Sequence, residues 1–191
     1  MRVIAGELGG RRLHAPHGSR TRPTSDRVRE ALFMILGPLG GARVVDLYSG
    51  SGALAIEALS RGADWADLVD ADRHAHAAAR RNLEELGLLE RAKLWNCRLP
   101  SGISLLHKEV READVVFADP PYGGRDLEAI FAGLRTMKPG ARLVVETHAK
   151  DEMPATTHGL VRTDTRRYGE TTLHIYTSTV RDDSQLEEKG S

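Results

Sequence analysis

The chain has 191 residues, 40% of them apolar and 28% charged, with 27 basic side chains against 27 acidic. This is the profile of a soluble protein with one domain and a sizeable core. No apolar run approaches the roughly 20 residues that span a bilayer, the basic N-terminus lacks the apolar core of a signal peptide, and the single cysteine, Cys97, excludes an internal disulfide. A reducing, cytoplasmic setting is expected.

The zero net charge hides an asymmetry. Residues 1–29 hold seven arginines (Arg2, Arg11, Arg12, Arg20, Arg22, Arg27 and Arg29) against Glu7 and Asp26, a balance of +5, and contain no lysine. Guanidinium groups make planar, bidentate phosphate contacts and stack on bases, so an arginine-only arm on an acidic body suits a polyanion. A solvated surface segment without a partner is the plainer reading.

In chain order, residues 2–5 and 11–14 read as a hairpin around the glycine-rich turn at 6–10. After a Gly/Pro/Arg-rich stretch, Thr24 or Ser25 caps a helix whose apolar positions Val28, Leu32, Ile35 and Leu36 keep helical spacing, and Gly37-Pro38 ends it. Strand-like runs then appear at 43–47, 66–70, 92–96, 114–118 and 142–146. Helical stretches lie near 52–60, 73–86, 101–110 and 125–137. This alternation predicts a parallel sheet covered on both faces. Residues 160–167 and 171–177 read as two strands around a tight turn at Tyr168-Gly169-Glu170, so the α/β sheet ends in an antiparallel hairpin. A basic extension over 1–21, one doubly wound domain over 22–180 and a polar tail over 181–191, expected to be disordered, complete the organisation.

Two stretches carry chemistry. Val44 to Ala55 is a strand, a loop containing Gly50 and Gly52, and a helix start. Gly50 permits a tight turn, and Gly52 removes a Cβ where a ligand approaches backbone N–H groups. Asp70 ends the next strand, where an acid grips ribose hydroxyls. The loop also satisfies the dinucleotide pattern G-x-G-x-x-A. Asp46 within the first strand, placed to bind a cationic amino-acid moiety, favours S-adenosylmethionine over NAD. The second stretch is Asp119-Pro120-Pro121-Tyr122, after the apolar run 115–118. An acid, two rigid residues and an aromatic ring at a strand end suit a clamp for a planar amine. The prolines fix φ, and Pro120 leaves its carbonyl without a competing donor of its own. A strand-to-loop turn is the alternative.

Together with Arg22-Pro23-Thr24-Ser25-Asp26-Arg27-Val28-Arg29-Glu30 and Tyr168-Gly169-Glu170-Thr171-Thr172, these stretches resemble the RsmD-type 16S rRNA guanine-N2 methyltransferases of the class I S-adenosylmethionine-dependent superfamily. The likeness covers residues 1 to about 177. It implies a Rossmann-like, seven-stranded, mostly parallel sheet with an N-terminal hairpin extension. It also implies that Asp46, Tyr48, Ser49, Gly50, Ser51, Gly52, Asp70 and Ala71 hold the cofactor, with Thr24 near its methionine part. Asp119 joins that set and, with Pro120 and Tyr122, is catalytic. The substrate side takes Arg11, Arg12, Arg22, Arg27, Arg29, Pro121, Tyr122 and Tyr168. Many relatives place an acid or amide near the adenine after the third strand. This chain reads Asn96-Cys97-Arg98-Leu99, so backbone groups around Cys97 and Arg98 are expected to serve there. The implied partner is small-subunit rRNA in an assembled or partly assembled particle, met by a monomer.

His74 and His76 stand at i and i+2 on a helix and face apart, so they make no metal pair. Trp65 and Trp95 suit packing better than stacking. Glu146, ending the fifth strand, is either structural or part of the site, and Tyr168 either faces substrate or an interface. Three other functions remain: a DNA adenine-N6 or cytosine-N4 methyltransferase, a non-catalytic RNA-binding or assembly factor, and a dehydrogenase. No stretch is long enough for a separate DNA-reading domain, and the intact loop and Asp119 speak against a silent fold.

Overall fold

The computed structural model describes residues 1–16, 25–120 and 126–179. Eight strands form one sheet: β1 (Arg43–Leu47), β2 (Trp65–Asp70), β3 (Ala92–Asn96), β4 (Val115–Ala118), β5 (Arg142–His148), β6 (Thr156–Thr157), β7 (Leu160–Tyr168) and β8 (Thr171–Ser178). Their order is β3-β2-β1-β4-β5-β8-β7-β6. β1 to β5 run parallel, and β8 turns antiparallel against β5. The doubly wound sheet with an antiparallel hairpin is therefore present. An eighth strand, β6, extends the expected seven. Its two residues pair only with Leu160 and Val161, too short a run for periodicity to reveal.

Alternation along the strands divides the core into two layers. Val44, Leu68, Phe117, Val144 and Leu173 face α1 (Asp26–Leu36), α2 (Ala53–Ser60) and α3 (Arg73–Leu86). Val45, Leu47, Val69, Val116 and Val145 face α4 (His107–Glu112) and α5 (Leu127–Gly133). Because both faces are covered, the parallel strands read as near-continuous apolar runs.

Local chemistry sets the helix ends. The Ser25 hydroxyl accepts from Val28 N–H and caps α1, while Gly37, at φ +69°, ends it. Asp72 accepts from the His74 and Ala75 amides to start α3, and Gly87 in the left-handed region stops it. The helix expected at 101–110 is a 3-10 turn (Ile103–Leu106) running into α4, and the one expected at 125–137 is reduced to α5. Close packing accompanies both: Gly102 lies against Cys97 Sγ and Gly133 against the Ile103 side chain, neither leaving space for a Cβ.

The N-terminal arm pairs with itself less than expected. Val3 N–H donates to the Arg11 carbonyl at 2.9 Å and Leu13 N–H to Met1 at 3.0 Å, leaving one Arg2–Arg12 bridge. The arm bonds the domain instead. Buried Glu57 of α2 accepts from Ile4 N–H (2.7 Å) and Ala5 N–H (3.1 Å), and Ser60 Oγ accepts from Leu8 N–H (3.0 Å). Asn82 of α3 accepts from His14 N–H at 2.7 Å and donates to its carbonyl at 3.0 Å.

Candidate active site

Strand order reverses between β1 and β4: the chain leaves β1 outwards to β2 and β3, then crosses back to β4 and β5. In open α/β sheets such a switch point leaves a crevice beyond the carboxyl ends of the strands. Here Leu47 lies opposite Ala118, so the glycine loop after β1 and Asp119-Pro120 after β4 emerge side by side.

Three residues of the loop take positive φ: Tyr48 (+63°), Gly50 (+56°) and Gly52 (+78°). The Asp70 carboxylate accepts from Gly50 N–H at 2.9 Å and from Asp72 N–H at 2.8 Å, tying the loop to the end of β2. The two glycines differ in their surroundings. A Cβ on Gly50 meets nothing within 4 Å, whereas one on Gly52 lies 2.6 Å from Leu68 Cδ2. Gly50 therefore has open space beside it, while Gly52 is favoured by its backbone angle and packs against Leu68.

Asp46 is buried, and its Oδ2 accepts from Ala55 N–H at 3.1 Å, so it caps the first turn of α2. Burial pushes its carboxyl up to about 8 despite that bond, and the nearby charges of Asp119 and Asp70 add to the rise. Asp119 faces solvent on a floor surrounded by protein. Lost hydration pushes it up to about 7, with Glu146 adding a smaller push; its open side tempers both. Among the described residues, no three His, Cys, Asp or Glu side chains converge as metal ligands. A row of acids whose charges repel one another is stabilised by an extended organic cation. S-adenosylmethionine carries two positive centres, the ammonium and the sulfonium. The Tyr48 and Ser49 hydroxyls are buried without hydrogen-bond partners among the described residues, and the Tyr48 phenol is pushed up to about 12 by burial and then by Asp126.

The other expected residues fall as follows. Ser51 is buried, and its carbonyl accepts from Asn82 Nδ2 at 2.9 Å. Ala71 is exposed beside Asp70. Cys97 is buried with Sγ 3.5 Å from the Gly102 carbonyl, while Arg98 is exposed. Tyr168 is the last residue of β7, half-buried against the α1-side core. Arg11, Arg12 and Arg27 are exposed. Arg29 is not: its side chain has no solvent exposure and donates to the Arg2 carbonyl (2.6 Å) and Asp26 (2.7 Å). Its position on the inner face of α1 turns it inwards, so it adds nothing to an exposed phosphate-binding surface. Arg22, Thr24, Pro121 and Tyr122 lie outside the described residues. Sequence reasoning missed Asn82, which ties the arm to the glycine loop. No local signal marks it, because its partners lie 31 and 68 residues away.

A sheet wound this way, with its acids gathered where the strand order turns back, is that of a class I S-adenosylmethionine-dependent methyltransferase. The family model described as conserved hypothetical protein 95 matches residues 1–177, and the chain belongs to that family. It is 36% identical over 180 residues to the Bacillus subtilis putative rRNA methyltransferase YlbH, covering 92% of this chain and 98% of that protein. It is 39% identical over 125 residues to Escherichia coli ribosomal RNA small subunit methyltransferase D, a match spanning 64% of this chain and 60% of the relative. The solved structure of a putative methyltransferase, yhhF from Escherichia coli, superimposes with a TM-score of 0.80 at 28% identity, covering 95% of this chain and 99% of that one.

Proposed function

We propose that this protein transfers a methyl group from S-adenosylmethionine to the exocyclic N2 of a guanine in small-subunit ribosomal RNA. The observation that carries the reading is the acidic row of Asp70, Asp46 and Asp119 across the carboxyl ends of β2, β1 and β4, ending at Pro120. Relatives named as small-subunit rRNA methyltransferases support the substrate class.

When bound, the cofactor supplies an electrophilic methyl on a sulfonium. The residues of this chain hold and orient. Asp46, Asp70 and the open side of Gly50 receive the cation and its ribose, with Tyr48, Ser49, Ser51, Ala71, Cys97 and Arg98 around them and Thr24 towards its methionine part. The guanine amine is a poor nucleophile because its lone pair is delocalised into the ring. Asp119 and the Pro120 carbonyl accept its two N–H bonds and turn the lone pair towards the methyl; the Asp119 charge opposes the positive charge developing on nitrogen. Pro121 and Tyr122 provide the wall on which the base stacks after leaving its helix. Arg11, Arg12, Arg22 and Arg27, with Tyr168 at the end of β7, hold the surrounding RNA. The protein acts as a cytoplasmic monomer on an assembled or partly assembled small subunit. No helix among the described residues is long and apolar enough to cross a membrane.

Incubation with labelled S-adenosylmethionine and small-subunit particles, free rRNA or DNA tests the proposal. Label is expected on a guanine N2 in the particle, located by nuclease mapping and mass spectrometry. Label confined to DNA, or none on any nucleic acid, overturns it.

A further inference from the structure

The acidic row has a fourth member that holding the amine does not use. β5 lies parallel to β4 with Ala118 opposite Val145, so the residues that follow, Asp119 and Glu146, are neighbours where β4 ends, two residues before the end of β5. Side chains alternate between faces along a strand. Phe117 and its partner Val144 lie in the layer beneath α1, whereas Ala118 and Val145 lie in the opposite layer. Asp119 and Glu146 therefore both continue the α1-side rows. Asp119 is exposed and Glu146 is half-buried. They are close enough for the Glu146 charge to act on Asp119.

One carboxylate is enough to hold an amine, and a second beside it adds repulsion. A pair of acceptors fits a base edge with two adjacent donors. Guanine has that edge, with N1–H next to the N2 amine. Adenine and cytosine also carry an amine, but the ring nitrogen next to it bears a lone pair. A carboxylate has only acceptor oxygens. Opposite N1 of adenine or N3 of cytosine it sets lone pair against lone pair, a repulsive element of the kind that creates specificity. We propose that Glu146 accepts the N1–H of the target guanine while Asp119 accepts an N2–H, and that Glu146 thereby selects guanine among the amine-bearing bases. The inference rests on the reading of this site as a base-amine methyltransferase.

Small-subunit RNA prepared with either guanine or 2-aminopurine at the mapped position tests it. 2-Aminopurine keeps the amine on C2 but has a lone pair at N1. The wild-type protein is expected to methylate guanine at least about tenfold faster, the worth of one charge-assisted hydrogen bond. Glu146→Gln, whose amide offers an N–H to N1, is expected to lose most of that preference, with S-adenosylhomocysteine affinity unchanged as the check on folding. Equal wild-type rates on the two bases, a ratio that needs no variant, overturn the assignment, as does a preference that survives in Glu146→Gln. Either result leaves guanine methylation standing. A wild-type protein that methylates no guanine amine overturns the parent reading and this one with it.

Discussion

At the scale of single residues, burial raises the Asp46 and Asp119 carboxyls, and keeping them ionised costs stability. The Asp46 carboxyl titrates near 8 in the folded chain against 3.8 as its ordinary value. Folding therefore retains a proton that the unfolded chain releases between about pH 4 and pH 8, and stability falls as pH rises through that window. Asp46→Asn keeps an oxygen for the Ala55 amide and removes the charge. In the cofactor-free protein it is expected to be stabilising by about 2 kcal/mol above pH 8, with the gain vanishing towards pH 4. Urea unfolding at several pH values checks this, and a gain of the same size at pH 4 contradicts it. Asp119→Ala is expected to lower methyl transfer by about 10²–10³-fold or more while S-adenosylhomocysteine still binds, as calorimetry will read. The role proposed for Asp119 needs its negative charge to oppose the positive charge developing on nitrogen, and protonation removes that charge, so kcat/KM is expected to rise as pH passes through about 7. A profile flat from pH 5 to pH 8 removes Asp119 from that role.

At the scale of elements, the N-terminal arm is held by α2 and α3 more than by its own pairing. Gly6 shows how closely. Its φ is +83°, and a Cβ there lies 1.9 Å from the Ser60 carbonyl oxygen, a contact that forces the backbones apart. Gly6→Ala is therefore expected to undock the arm and cost about 2 kcal/mol or more. Hydrogen exchange checks it at the Ile4 and Ala5 amides, which donate to Glu57; protection equal to wild type rejects the undocking. Elements whose ends are written in adjacent residues were legible in the sequence. Ser25 and Gly37 bracket α1, Asp72 and Gly87 bracket α3, and the latter helix spans the expected residues 73–86. The 3-10 turn before α4 and the short α5 were not legible, because they accompany the contacts of Gly102 with Cys97 and of Gly133 with Ile103, which only the folded chain makes.

At the scale of the whole molecule, a net charge of zero is divided between an arginine-rich arm and an acidic body. Neutralising Arg11, Arg12 and Arg22 together is expected to weaken RNA binding and to flatten the dependence of log K on log salt by about 2, close to one released counterion per lost phosphate contact. Filter binding across a salt series reads this. An unchanged slope shows that the arm does not clamp RNA. The sequence alone determined the doubly wound order of elements, the glycine loop and the Asp119-Pro120 strand end. These depend on periodicity and backbone preferences that span only a few residues. The tertiary structure decided that Arg29 turns inwards onto Arg2 and Asp26, that Gly52 packs against Leu68 while Gly50 has open space beside it, and that Asn82 joins arm to loop. It also decided that Glu146 stands beside Asp119. Each of these depends on which strands and helices become neighbours, with Asn82 reaching a partner 68 residues away. Such pairings are made by burial and hydrogen-bond satisfaction in three dimensions and leave no trace in local spacing.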